Sequence, residues 1–127
     1  YIMKRILGEV EVETIPGISS FSNIASNQNF PLVMDKEALV VIPCTMEDDK
    51  IEYALQNYNS IVLMKVYKNF KEIIKKLEKY DLIEHAILVS NSSQESENVF
   101  TDLKEAHLED KISYFSTILV NKDNKIK

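Results

Sequence analysis

The chain has 127 residues, of which 45% are hydrophobic, and it contains only two glycines and three prolines. That is enough apolar material for one domain with a real core, and it argues against disorder. A formal charge of -5 at pH 7 weighs against nucleic-acid binding by bulk electrostatics, because neutralising phosphates takes clustered Lys and Arg.

In chain order, Tyr1 to Leu7 reads as the tail of a helix with Gly8 as its cap. A native chain rarely starts on Tyr inside a helix-like pattern, so residues are expected upstream of it. Glu9 to Ile15 alternates, with Val10, Val12 and Thr14 opposite Glu9, Glu11 and Glu13, which predicts a half-exposed strand. Pro16-Gly17 stops it. Ser19 or Ser20 caps a short helix with Phe21, Ile24 and Ala25 on its apolar face. Ala38 to Ile42 is a compact apolar run that predicts a buried strand ended by Pro43. Glu47 to Tyr58 places Ile51, Ala54, Leu55 and Tyr58 on one helical face, with acids in the first turn where the helix dipole favours them.

Ile61 to Val66 predicts a second buried strand. Asn69 and Glu72 have the spacing of a capping box and open a helix with Phe70, Ile73, Ile74 and Leu77 on its apolar face. The lysines at 68, 71, 75, 76 and 79 read as that helix's solvated face. His85 to Val89 predicts a third buried strand, Asn91 to Asn98 a polar loop, Val99-Phe100 a short strand and Asp102 to His107 a short helix. Ile112 to Val120, rich in β-branched and aromatic residues, predicts a long final strand, and the last seven residues read as a frayed tail. Strands alternating with helices predict a single α/β domain over residues 1–127, a three-layer-like sandwich whose sheet is mixed because the long final strand follows Val99-Phe100 closely.

Three strand ends carry the candidate chemistry, since ligands of open α/β sheets bind at the carboxyl ends of strands. Ile15-Pro16-Gly17-Ile18-Ser19-Ser20 joins a strand to a helix. It is either a plain turn with an N-cap serine or a polar corner of free N–H groups and two hydroxyls where Gly17 admits a ligand close to the backbone. Lys65, near the end of a buried strand, either snorkels to solvent or aims at an acidic partner. Ser90-Asn91-Ser92-Ser93 follows the third buried strand. With parallel strands, all three segments share one edge of the sheet. His85 and His107 lack metal-ligand spacing, so no metal is expected. Cys44 has no neighbouring His and reads as inert. Gly8 and Gly17 alone build no Gly-rich phosphate loop, so any cofactor is held largely by another segment or chain. A single cysteine, no apolar run of roughly 20 residues and no secretory pattern predict a cytoplasmic protein with no membrane contact.

The residues from Val12 to Ser26, Val-Glu-Thr-Ile-Pro-Gly-Ile-Ser-Ser-Phe-Ser-Asn-Ile-Ala-Ser, resemble the signature of the tetrapyrrole methylases, in which a strand runs into Pro-Gly-[Ile/Val]-[Ser/Thr]-[Ser/Ala]. Phe30-Pro31-Leu32, Ala38 to Pro43, Val62-Leu63-Met64-Lys65 and Tyr114-Phe115-Ser116-Thr117-Ile118 extend the resemblance over nearly the whole chain. The last two are most similar to the C(20)-methylating branch. The resemblance implies the C-terminal domain of a two-domain enzyme, a mixed, about five-stranded sheet with flanking helices, its N-terminal domain absent from this chain, with S-adenosylmethionine folded into the cleft between the two. It implies cofactor contacts at Pro16, Gly17, Ser19, Ser20, Lys65 and Ser92. Lys65 and Ser92 depart from relatives that often carry Met and a small residue there, which leaves backbone contacts intact. The implied reaction is methyl transfer to a meso carbon of precorrin-2 or cobalt-precorrin-2 in cobalamin biosynthesis, by a protein that is inactive as this half alone; a homodimer is one open arrangement, since dimers are common among the proteins it resembles. Two other readings stay open: a non-catalytic α/β binding or scaffold module, and the corresponding domain of another tetrapyrrole methylase or of diphthine synthase.

Overall fold

The computed structural model describes residues 13–106 and 112–126. The chain order is α1 (Ser20–Asn27), β1 (Leu39–Pro43), α2 (Asp48–Asn57), β2 (Ser60–Met64), a 3-10 turn (Val66–Lys68), α3 (Phe70–Lys79), a second 3-10 turn (Ile83–His85), β3 (Ala86–Ser90), β4 (Asn98–Phe100), α4 (Leu103–Ala106) and β5 (Ser116–Asn121). The five described strands form one sheet in the order β1-β2-β5-β3-β4. β1 and β2 pair in parallel, while β5 is antiparallel to both its neighbours, β2 and β3. β4 is antiparallel to β3. The expected mixed sheet of about five strands is present.

The period of two along each strand divides the core between the two faces of the sheet. Ile61 and Leu63 of β2, Ala86 and Leu88 of β3, and Ile118 and Val120 of β5 face the larger cluster. There they meet Ile51, Ala54 and Leu55 of α2, Ile73, Ile74 and Leu77 of α3, and Leu103 of α4. Val62, Ile87, Val89 and Leu119 face the other way, onto Ile24 and Ala25 of α1 and Phe30. Helices on both faces explain why β2, β3 and β5 are continuous apolar runs.

Several expectations need correction. Residues 1–12 and 107–111 lie outside the described residues, so the first helix tail, Gly8, most of the first strand and His107 lie there too. Glu13, Thr14 and Ile15 are in no strand. The apolar run Ala38 to Ile42, read as a buried strand, forms the edge strand β1, of which only Ile42 is buried while Val41 is 41% exposed, because β1 has a neighbour on one side alone. The last strand begins four residues later than its β-rich composition predicts, because Tyr114 and Phe115 form a turn at the sheet's rim. The chain end is docked rather than frayed over residues 121–126. Asn121 is fully buried and donates from Nδ2 to the Pro31 carbonyl at 2.8 Å. The Ile126 N–H donates to the Glu84 carbonyl at 2.9 Å.

Asn69 occupies the cap of α3 but makes no capping bond; its Nδ2 donates instead to the Cys44 carbonyl at 3.0 Å, linking β1 to α3. Nor are the lysines of α3 all solvated. Lys76 is buried along its stem and reaches Asp48 at 3.4 Å, a snorkelling geometry.

Leu63 is fully buried at the centre of the sheet. Leu63→Ala should cost about 2–5 kcal/mol through lost burial and a residual cavity, measured as a lower urea midpoint with an unchanged slope.

Candidate functional site

Parallel running of β1, β2 and β3 brings their carboxyl ends, Pro43, Met64 and Ser90, to one edge of the sheet. The antiparallel β5 adds its amino end to the same edge, with Thr117 opposite Met64 and Ser116 opposite Ser90. A cavity of about 230 Å³ opens there, lined by Ser20 and Ile24 of α1, Met64-Lys65, Ser92, Gln94 and Tyr114 to Thr117. Of the residues singled out in the sequence, Ser20, Lys65 and Ser92 meet in this cleft. Pro16, Gly17 and Ser19 are exposed and do not line it, though Ser19 directly precedes the first turn of α1.

Polar contacts hold the rim in shape. Asn23 of α1 donates from Nδ2 to Ser93 Oγ at 2.6 Å and to Ser92 Oγ at 3.3 Å, tying the helix to the loop after β3. The Asn91 N–H donates to the Phe115 carbonyl at 2.9 Å, tying that loop to the turn before β5. The buried hydroxyls of Ser90 and of Ser116, which lines the cleft, bond each other at 2.6 Å. Ser19 sits at the N-cap with extended backbone, but its Oγ pairs with Ser22 Oγ at 2.8 Å instead of capping the helix. The first N–H groups of α1 therefore lack a side-chain cap.

The backbone at the rim is unusual. Lys65 has φ 58 and ψ 35, and Asn91 and Ser93 have φ 53 and φ 63. Asn visits this left-handed region with little penalty, but for a lysine it costs on the order of 1–2 kcal/mol. Gly17, by contrast, stands in open space, and an added Cβ there would meet nothing within 4 Å. Cys44, just past the tip of β1, is fully buried, and burial pushes its thiol up to about 12, so it is no nucleophile at neutral pH.

The sequence reading missed Ile24, Gln94 and Tyr114 to Thr117 as cleft residues. Their signal was weak, since only the antiparallel insertion of β5 carries Thr117 to the rim. At the opposite end of the sheet a larger hollow of about 550 Å³ is lined by Glu78, Asp81, Glu84, His85, Lys104 and Lys125. Its charges serve structure: Lys125 pairs with Glu84 at 2.6 Å, and His85 Nδ1 lies 3.2 Å from the Asn124 carbonyl.

A family profile described as Tetrapyrrole (Corrin/Porphyrin) Methylases matches residues 1–107. The chain belongs to the tetrapyrrole methylase family. Among curated members, it is 38% identical over 122 residues to the cobalt-precorrin-2 C(20)-methyltransferase of Salmonella typhimurium, covering 96% of this chain and 52% of that protein. It is 29% identical over 116 residues to a precorrin-2 C(20)-methyltransferase of a Sinorhizobium species, covering 91% of this chain and 46% of that one. The chain thus spans about half the length of the curated relatives it matches.

Solved methylases share the fold. A cobalt precorrin-4 methyltransferase of cobalamin biosynthesis superposes with a TM-score of 0.66 at 19% identity, over 94% of this chain and 55% of that one. A Thermus thermophilus uroporphyrin-III C-methyl transferase complexed with S-adenosyl homocysteine gives 0.59 at 17% identity, over 94% of this chain and 57% of that one.

The left-handed backbone at Lys65 yields a stability test. Lys65→Gly should raise the unfolding free energy by about 0.5–1 kcal/mol, the relief of strain exceeding the added chain entropy. Lys65→Val should lower it, and urea unfolding of both variants reads the difference.

Proposed function

We propose that this chain is the C-terminal half of an S-adenosylmethionine-dependent methyltransferase that acts on C(20) of precorrin-2 or cobalt-precorrin-2, and that a separate N-terminal domain closes the other side of its cleft. The observation that carries the reading is the 38% identity, over 96% of the chain, to a cobalt-precorrin-2 C(20)-methyltransferase, joined to a cleft at the strand tips of that fold. The cofactor contacts are assigned to Pro16, Gly17, Ser19, Ser20, Lys65 and Ser92, those of Lys65 and Ser92 through backbone atoms that leave the side chains free for other partners, with Ser20, Lys65 and Ser92 at the cleft itself. The cytoplasm, a tetrapyrrole acceptor and a homodimer belong to the same proposal. Among the described residues no helix is long and apolar enough to cross a membrane.

The lining fits such a cofactor in kind. Hydroxyls of Ser20, Ser92, Ser116 and Thr117 and the Gln94 amide alternate with Ile24, Met64, Tyr114 and Phe115, a mixture suited to a ribose, an amino-acid end and a flat base. The volume, about 230 Å³, falls below the roughly 300–1,000 Å³ of complete small-molecule sites, as expected of one wall. When bound, the cofactor supplies an activated methyl group on its sulfonium. What these residues do is bind, orient and exclude water. Holding an electron-rich ring carbon in line with the transferred group is worth several kcal/mol, up to roughly 7–11 in the best intramolecular cases. With one wall only, that alignment is lost.

A methylase acting at another ring position is the second reading within the family. The two curated C(20) relatives favour the first, because the precorrin-4 and uroporphyrin-III methylases resemble the chain at 19% identity or less and speak to fold alone. Family membership sets aside a scaffold module of unrelated ancestry.

The test is methyl transfer from labelled S-adenosylmethionine to precorrin-2 or cobalt-precorrin-2. The full-length protein should add one methyl group, located at C(20) by NMR, and this chain alone should show no turnover. Turnover by the chain alone at the full-length rate would sink the two-wall reading, and methylation elsewhere on the ring would favour the second reading. The exposed apolar residues Ile18, Tyr114 and Phe115 near the cleft should also make the isolated chain self-associate. Sedimentation at rising concentration should reveal this as a growing average mass.

A further inference from the structure

Lys65 is the one charged side chain among the residues lining the cleft. No ion pair among the described residues engages it. Beside it stand Tyr114 and Phe115, 57% and 62% exposed, with ring centroids 5.1 Å apart in an edge-to-face pair. Tyr67 packs on Tyr114 at 4.8 Å, and the Lys68 ammonium lies 5.9 Å from the Tyr67 ring. In a chain of net charge -5, this lip offers exposed aromatic rings and two ammonium groups.

Exposed aromatic faces recognise planar apolar ligands, and an unpaired ammonium recognises an anion. A flat macrocycle with carboxylate side chains presents both in one molecule. The methyl donor separates them, because its flat base is uncharged and its carboxylate sits beside its own ammonium. Resting on the functional reading above, we infer that the Lys65 ammonium takes a peripheral carboxylate of the macrocyclic acceptor while Tyr114 and Phe115 pack against its face. This contact fixes the rotation in which the ring meets the methyl donor, so Lys65 is a positioning residue for regiochemistry. The left-handed backbone at Lys65, which glycine would adopt without strain, is consistent with a position held for its side chain.

The test uses the full-length protein, with S-adenosyl homocysteine binding followed by calorimetry and precorrin-2 binding by absorbance. Lys65→Gln should weaken the macrocycle about tenfold, the loss expected for one charge-assisted hydrogen bond, and leave S-adenosyl homocysteine unchanged. Lys65→Arg should recover most of the loss, and rising salt should weaken the wild type more than K65Q. Lys65→Gly, which removes the ammonium without straining the backbone, should reproduce K65Q and guards against a folding artefact. An unchanged macrocycle affinity in K65Q and K65G overturns the inference. So does a loss confined to S-adenosyl homocysteine, which would assign the ammonium to the donor's carboxylate. A wild-type protein that binds S-adenosyl homocysteine but no macrocycle overturns the functional reading and this inference together.

Discussion

Strand β5 enters the sheet antiparallel between β2 and β3, and the site depends on that insertion. Ser60 to Met64 pair with Thr117 to Asn121, and Ala86 to Ser90 pair with Ser116 to Val120. Without this strand, β2 and β3 would each have an open edge, and the first and third strand tips would not share a continuous rim. The register also decides which face each side chain takes, because a slip of one residue would send Leu119 into the larger cluster under α2 and α3, and Ile118 and Val120 onto the α1 side.

The same insertion concentrates polar backbone and hydroxyls where the strands end. Ser90 and Ser116 face each other as a buried pair because their strands are in register there. Asn91 and Ser93 take left-handed conformations to turn the chain away from β3, and Lys65 does the same after β2. Positions of this kind persist when the surrounding fold over-determines them. Here the constraints are the Asn91 N–H bond to the Phe115 carbonyl and the two bonds from Asn23.

Family membership and cleft geometry bear on different questions. The family match and the two C(20) relatives point to a reaction class, while the distant solved methylases speak only to architecture. The cleft bears on what a ligand would meet at the strand tips: a space of about 230 Å³ whose lining is part polar and part aromatic.

By itself, the sequence determined the helices with strong 3.6 periodicity and the buried strands β2 and β3, but not that the equally apolar β1 lies half-buried at the sheet's edge. Spacing of Ile51, Ala54 and Leu55, or of Phe70, Ile73, Ile74 and Leu77, requires a sided helix, and runs such as Ile61 to Leu63 require a strand covered on both faces. It also pointed to Ser20, Lys65 and Ser92, which meet in the cleft. Hidden from it were contacts between residues far apart in the chain. The docking of Asn121 on the Pro31 carbonyl spans 90 positions, and the Asn23–Ser92 bond spans 69. Local pattern also misread Asn69, whose side chain serves the distant Cys44 carbonyl instead of its own helix. Tertiary structure alone decided where β5 begins and that Thr117 joins the rim. Composition marks a segment as strand-forming, but only pairing with β2 and β3 determines which of its residues bond to neighbours and which turn at the edge.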